Sequence, residues 1–99
     1  MTYLVCYDIG FNRTGDPEAA WRLHAVARVM QNYGIRRQRS VFECRLDRHL
    51  YGRMKKELAG VIDTRTDSIM IYPVCADCLR RNAVQGTGLP STESACAVV

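Results

Sequence analysis

Two strand-length runs in this chain are apolar on both faces, and that limits what it can fold into. In "YLVCYDI" the alternation of side chains puts Tyr3, Val5, Tyr7 and Ile9 on one side and Leu4 and Cys6 on the other. In "DSIMIYPV" Ile69 and Ile71 stand opposite Met70 and Tyr72. A strand apolar on both faces belongs in the interior of a sheet that is covered twice. With 99 residues the chain has room for one modest core, so the question is what supplies the two covering layers.

Two helical patterns supply one of them. After the first strand, predicted over Thr2 to Ile9, "FNRTGDPEAAW" reads as a loop and a helix start: Asp16 suits the N-cap, Pro17 the first helical position and Glu18 the positive end of the dipole. Leu23, Val26, Ala27, Met30 and Tyr33 recur at helical spacing, and Gly34 reads as the stop. Asp47 reads as the cap of a second helix with an apolar stripe of Leu50, Met54, Leu58 and Val61, ending near Gly60. Between the helices, Ile35 to Leu46 is extended, as one strand or as two with a turn or bulge near Arg39 and Ser40. Past Cys75 the chain is polar and punctuated by Gly and Pro, with one short extended candidate at Ala83 to Gln85.

This order is the βαββαβ of a ferredoxin-like α+β sandwich with an extra C-terminal strand. Two helices cover one face of such a sheet. The simplest cover for the other is a second copy of the chain, so the pattern predicts a homodimer formed through the helix-free sheet face. The domain is placed at residues 1–86, followed by a tail, 87–99, expected to be partly disordered.

Composition closes off several classes of function. A hydrophobic fraction of 47% with 24% charged residues excludes a disordered chain. The apolar N-terminal run is too short to span a membrane and has no basic leader, so a cytoplasmic protein without membrane contact is expected. Five cysteines, an odd number with two inside strand patterns, argue against a disulfide framework. The net charge of +4 suits a polyanionic partner.

Asp8 is the odd residue of the first strand. It can cap the turn before Gly10 by bonding to loop amides. Alternatively, a carboxylate in an apolar strand is paired, protonated or metal-bound, and Mg²⁺ is held by one or two carboxylates with water and phosphate oxygens. Two Asp8 residues brought together by a dimer axis would supply such a site. The second constellation is "GIRRQRSVFECRL". Unbroken alternation puts Arg37 and Arg39 on one face and Arg36, Gln38, Ser40 and Phe42 on the other. These arginines fit a solvated edge strand that resists pairing with another sheet. They equally fit a surface that grips phosphates and stacks a base.

Taken together, "YLVCYDI", "YGIRRQRSVFECRL", "DSIMIYPVCADC" and "VQGTG" resemble the CRISPR-associated protein 2 family of small adaptation-stage endonucleases, in order and spacing, over residues 2–88. The resemblance implies a ferredoxin-like homodimer with Asp8 near the two-fold axis as the ligand of Mg²⁺ or a similar ion such as Mn²⁺. It implies that Tyr7, Arg36 and Phe42 serve activity with Asp8, and that Ser40 bonds a phosphate or holds the strand break. Metal-dependent cleavage of RNA or DNA follows, as does a role in spacer acquisition beside the adaptation integrase, with the segment near Val84 crossing onto the partner. Arg13, Arg36, Arg37, Arg39 and Ser40 are the expected nucleic-acid contacts. Leu23 and Ala25 stand where some members carry basic residues, with Arg13 and Arg22 as nearby alternatives.

The mechanism expected is hydrolysis of a phosphodiester by a metal-activated water, with Arg36 stabilising the developing charge. The competing reading is a nucleic-acid-binding scaffold that bridges integrase dimers and performs no chemistry. The Cys75-x-x-Cys78 pair, without a second pair or a nearby His, reads as structural. His24 and His49 read as solvated or interface residues.

Overall fold

The computed structural model describes residues 1–10 and 17–86. Strand β1 (Thr2–Asp8) is followed by helix α1 (Pro17–Gln31), strands β2 (Gly34–Gln38) and β3 (Val41–Arg45), helix α2 (Arg48–Ala59), strand β4 (Ser68–Val74) and a short helix α3 (Ala76–Arg80). The sheet order is β2-β3-β1-β4 with every neighbouring pair antiparallel. That is the expected ferredoxin-like sandwich, and it puts the two strands with apolar faces side by side, Leu4 across from Tyr72 and Cys6 across from Met70.

Both long helices pack on one face of the sheet. Val5, Tyr7, Phe42 and Cys44 from the strands meet Val26 and Met30 from α1 and Met54 and Leu58 from α2 in a single buried cluster. Helix α2 starts where the sequence placed it: Asp47 is extended at its cap and its carboxylate accepts from the Leu50 N–H at 2.8 Å. Such a cap contributes about 1 kcal/mol. Gly60 closes the helix in the right-handed region, its N–H shared between the carbonyls of Lys56 and Glu57.

Gly34 does a different job from the one the sequence suggested. Helix α1 ends at Gln31, Asn32 and Tyr33 form a turn, and Gly34 opens β2. A Cβ there would lie 2.4 Å from the Glu43 carbonyl oxygen and 2.5 Å from the Cys44 sulfur, so close strand approach, not a left-handed stop, requires glycine. The 35–46 stretch divides into β2 and β3 around a turn at 39–40, as foreseen, and the register slips between Arg36 and Gln38. That bulge overturns the simple alternation: Arg36 pairs across from Phe42 on the helix side, while Gln38 pairs across from Val41 on the other.

The helix-free face carries exposed Ile35, Met70 and Tyr72. The chain covers part of this face itself. Leu79 of α3 is 4% exposed and lines a cleft of about 230 Å³ with Leu4, Arg37, Val41, Glu43 and Val84. Helix α3 was missed in the sequence because five residues carry no period. Within the extended candidate 83–85, Val84 forms a single bridge. The tail 87–99 lies outside the described residues, as do Arg13 and Asp16. No helix among the described residues is long and apolar enough to cross a membrane.

Candidate nucleic-acid interface

The bulge in β2 gathers a cleft at one edge of the helix-covered face. Its floor is Tyr7, whose ring is buried beside Phe42 with centroids 6.2 Å apart. The Tyr7 hydroxyl donates to the Arg39 carbonyl at 3.0 Å, and the Tyr7 N–H donates to the Ser40 carbonyl at 3.1 Å. These two bonds fix the 39–40 turn over the end of β1. The Arg36 guanidinium lies over the Phe42 ring, 5.3 Å from its centroid. An arginine in that position gains from the ring's quadrupole and keeps its N–H donors turned outward.

The far wall comes from α1. Leu23, His24 and Ala27 face Tyr7, Arg36, Arg39 and Ser40 across a space of about 310 Å³. Two guanidiniums, an imidazole and a hydroxyl thus converge, a donor set that recognises phosphate oxygens. His24 is exposed, as a solvated or interface residue would be, and it borders the cleft from the rim of α1.

Asp8 lies next to this cleft in sequence but on the opposite face. It is exposed at the end of β1, across from Ser68 of β4, in phase with Leu4 and Cys6. One chain therefore brings Tyr7, Arg36, Phe42, Arg39 and Ser40 together and sets Asp8 apart from them. Among the described residues, no group of three or more His, Cys, Asp or Glu could hold a metal ion.

Two other basic residues have internal partners. Arg37 is the bulged residue; its Nε donates to Glu43 at 3.1 Å, its side chain is 12% exposed, and its Nη2 is buried without a hydrogen-bond partner. Arg22 reaches Asp67, whose carboxylate is fully buried, through Nε at 2.8 Å, and Gly10 through Nη2 at 3.2 Å. Asp67 also accepts from the N–H groups of Gly10 at 2.9 Å and Asp63 at 2.8 Å, and from the Thr66 hydroxyl at 3.1 Å. Burial pushes the Asp67 carboxyl up, but these donors more than offset it and hold the group below the ordinary carboxylate range. The network ties the residues just past Asp8 to the loop before β4. Gly10 sits so close to that loop that a Cβ would lie 2.2 Å from the Thr66 carbonyl oxygen. The sequence offered no sign of the pairing, since Arg22 and Asp67 are 45 residues apart along the chain and no local pattern links them.

Comparison with known proteins agrees with this fold. The model of a family described as CRISPR associated protein Cas2 matches residues 1–82. The chain is 39% identical over 84 residues to CRISPR-associated endoribonuclease Cas2 4 of Rhodospirillum rubrum, covering 85% of this chain and 61%, under two thirds, of that relative. It is 42% identical over 72 residues to CRISPR-associated endonuclease Cas2 of Halalkalibacterium halodurans, covering 73% of this chain and 72% of the relative. The crystal structure of Streptococcus pyogenes Cas2 at pH 6.5 superposes with a TM-score of 0.73 at 38% identity, covering 83% of this chain and 95% of that one.

Proposed function

The chain belongs to the CRISPR associated protein Cas2 family, and from that premise we propose that it is a CRISPR adaptation protein that works as a homodimeric, metal-dependent endonuclease on RNA or DNA. The observation that supports this best is the convergence of Arg36, Arg39 and Ser40 over Tyr7. Asp8 is an exposed carboxylate, a hard oxygen donor of the kind Mg²⁺ or Mn²⁺ accepts alongside water and substrate phosphate. One chain contributes a single such ligand, which fits an ion held jointly by the Asp8 residues of two copies and by the substrate. The exposed Met70 and Tyr72 on the helix-free face are the surface for that pairing.

A bound divalent ion lowers the pKa of water and neutralises phosphate charge. The chain's own residues do the rest. Arg36, steadied over Phe42, donates to a phosphate oxygen and meets the charge that develops on it. Arg39 and Ser40 hold the backbone in register, and the Tyr7 hydroxyl keeps their turn in place by engaging the Arg39 carbonyl. Arg13 belongs to the same basic surface in this reading.

A second reading is favoured by the separation of Asp8 from the arginine cleft: a scaffold that binds nucleic acid, bridges the adaptation integrase and cuts nothing. The two part on one experiment, titration of Mg²⁺ against cleavage of labelled single-stranded RNA and of duplex DNA. Cutting that appears with the metal and stops on chelation supports the enzyme. Binding without cutting at any metal concentration supports the scaffold.

A further inference from the structure

The described cysteines fall into two environments. Burial, reinforced by the neighbouring Glu43 carboxylate, pushes the Cys44 thiol up to about 11, and burial raises Cys6 as well, so neither is a nucleophile near neutral pH. Cys75 and Cys78 are both exposed. Cys75 caps α3 in an extended conformation, and its sulfur accepts from the Cys78 N–H at 3.4 Å and lies 3.3 Å from the Cys78 sulfur, within hydrogen-bonding reach of it. The two sulfurs therefore face each other across one capped turn, 3.3 Å apart. The Cys78 N–H, and after it the contact between the two sulfurs, holds Cys75 below its ordinary thiol value, while bonding to Cys75 lifts Cys78 above its own. One member is thus the better leaving and attacking group, and the other keeps its proton.

We propose that Cys75 and Cys78 are a vicinal dithiol that exchanges reversibly with a low-molecular-weight disulfide of the glutathione class. The Cys75 thiolate, its proton given to solvent, attacks one sulfur of the external disulfide; a mixed disulfide forms and one thiolate leaves. Cys78 then loses its proton and attacks the Cys75 sulfur, forming the Cys75–Cys78 bond and expelling the second thiolate. The protein gives up two hydrogens in all, and the external disulfide is reduced to two thiols. The loop closed is very short, so the bond adds little chain-entropy stabilisation and remains easy to reverse. It acts at a telling place. The same short helix carries Leu79, which is buried against the helix-free face beside the Arg37–Glu43 pair, so the bond stiffens the turn that seats this element. None of this depends on the nuclease reading.

The test equilibrates the full chain in buffers of graded oxidised-to-reduced glutathione ratio, alkylates the remaining thiols and measures intact mass and peptide masses. The expected result is a species lighter by two hydrogens that has lost two alkylation sites, both mapping to Cys75 and Cys78, and that returns to the starting mass under reduction. Cys75→Ser and Cys78→Ser should each abolish it and carry a single glutathione adduct instead, while Cys96→Ser should leave the transition where it was. Full alkylation at every ratio, or a bond that maps to Cys96 or to a second chain, overturns the proposal.

Discussion

Replacing Asp67 by alanine removes the acceptor on which the whole loop network converges. Its carboxylate is fully buried and serves the N–H groups of Gly10 and Asp63, the Thr66 hydroxyl and the guanidinium of Arg22, which is itself only 12% exposed. Truncation strands two backbone N–H groups, each costing about 1–3 kcal/mol if left without a partner. Arg22 keeps weaker contacts to the Gly10 carbonyl at 3.2 Å and the Thr66 hydroxyl at 3.4 Å, which limits the loss. Removing one member of a buried pair costs about 3–5 kcal/mol, and that range is the expectation here. Against a total of about 5–15 kcal/mol for a domain of this kind, it is a large fraction of the stability. Urea unfolding followed by circular dichroism, at one fixed protein concentration, reads it as a fall in midpoint with unchanged slope. The acid limb gives an independent check. Because the folded carboxyl sits below its ordinary value, its contribution is complete above the unfolded carboxylate pKa, near about 3.9, and is lost as pH falls through the folded value. Asp67→Asn should flatten that limb. A loss below about 1 kcal/mol in Asp67→Ala, with the acid limb unmoved, refutes the assignment of Asp67 as the hub.

Three further outcomes follow from the geometry. Gly34→Ala should destabilise by about 1–3 kcal/mol, because the new methyl meets the Glu43 carbonyl at 2.4 Å, and thermal unfolding will show it. Tyr7→Phe keeps the buried ring and loses only the 3.0 Å bond to Arg39, so stability should fall by about 0.5–1.5 kcal/mol in a urea titration, with a larger proportional loss of any cleavage activity. Arg36→Ala leaves the Phe42 ring in the core and removes one outward guanidinium; the slope of log affinity against log salt for a labelled oligonucleotide should shrink by roughly one, as for loss of a single phosphate contact.

The strands apolar on both faces, the two amphipathic helices with the Asp47 cap of the second, and the turn near Ser40 made the sandwich legible from the sequence, because each is a local pattern. The bulge was not legible in detail. It shifts the register by one residue between Arg36 and Gln38, and that shift alone decides which basic side chains share a face. Arg36 and Phe42 were foreseen on the same face and are found in contact, whereas Gln38 was foreseen with them and points away. Arg22 and Asp67 could not be paired from the sequence, since nothing local links residues that meet only after the chain has folded. Helix α3 escaped notice for the opposite reason: a single turn is too short to show a period, and its cap is a cysteine, which sequence rules do not count among capping residues.

The proposed function divides the work between a cleft that grips the phosphate backbone and an Asp8 carboxylate that brings in the metal from the other face of β1. It is tested most directly by measuring, on the same preparations, oligonucleotide affinity and single-turnover cleavage in saturating Mg²⁺ for the wild-type chain and for Asp8→Asn. The expected result for Asp8→Asn is affinity within about twofold of wild type and cleavage reduced by about 10²-fold or more, a loss of some 3 kcal/mol of transition-state stabilisation. Cleavage that survives the substitution unchanged, or that falls only as far as binding falls, contradicts it.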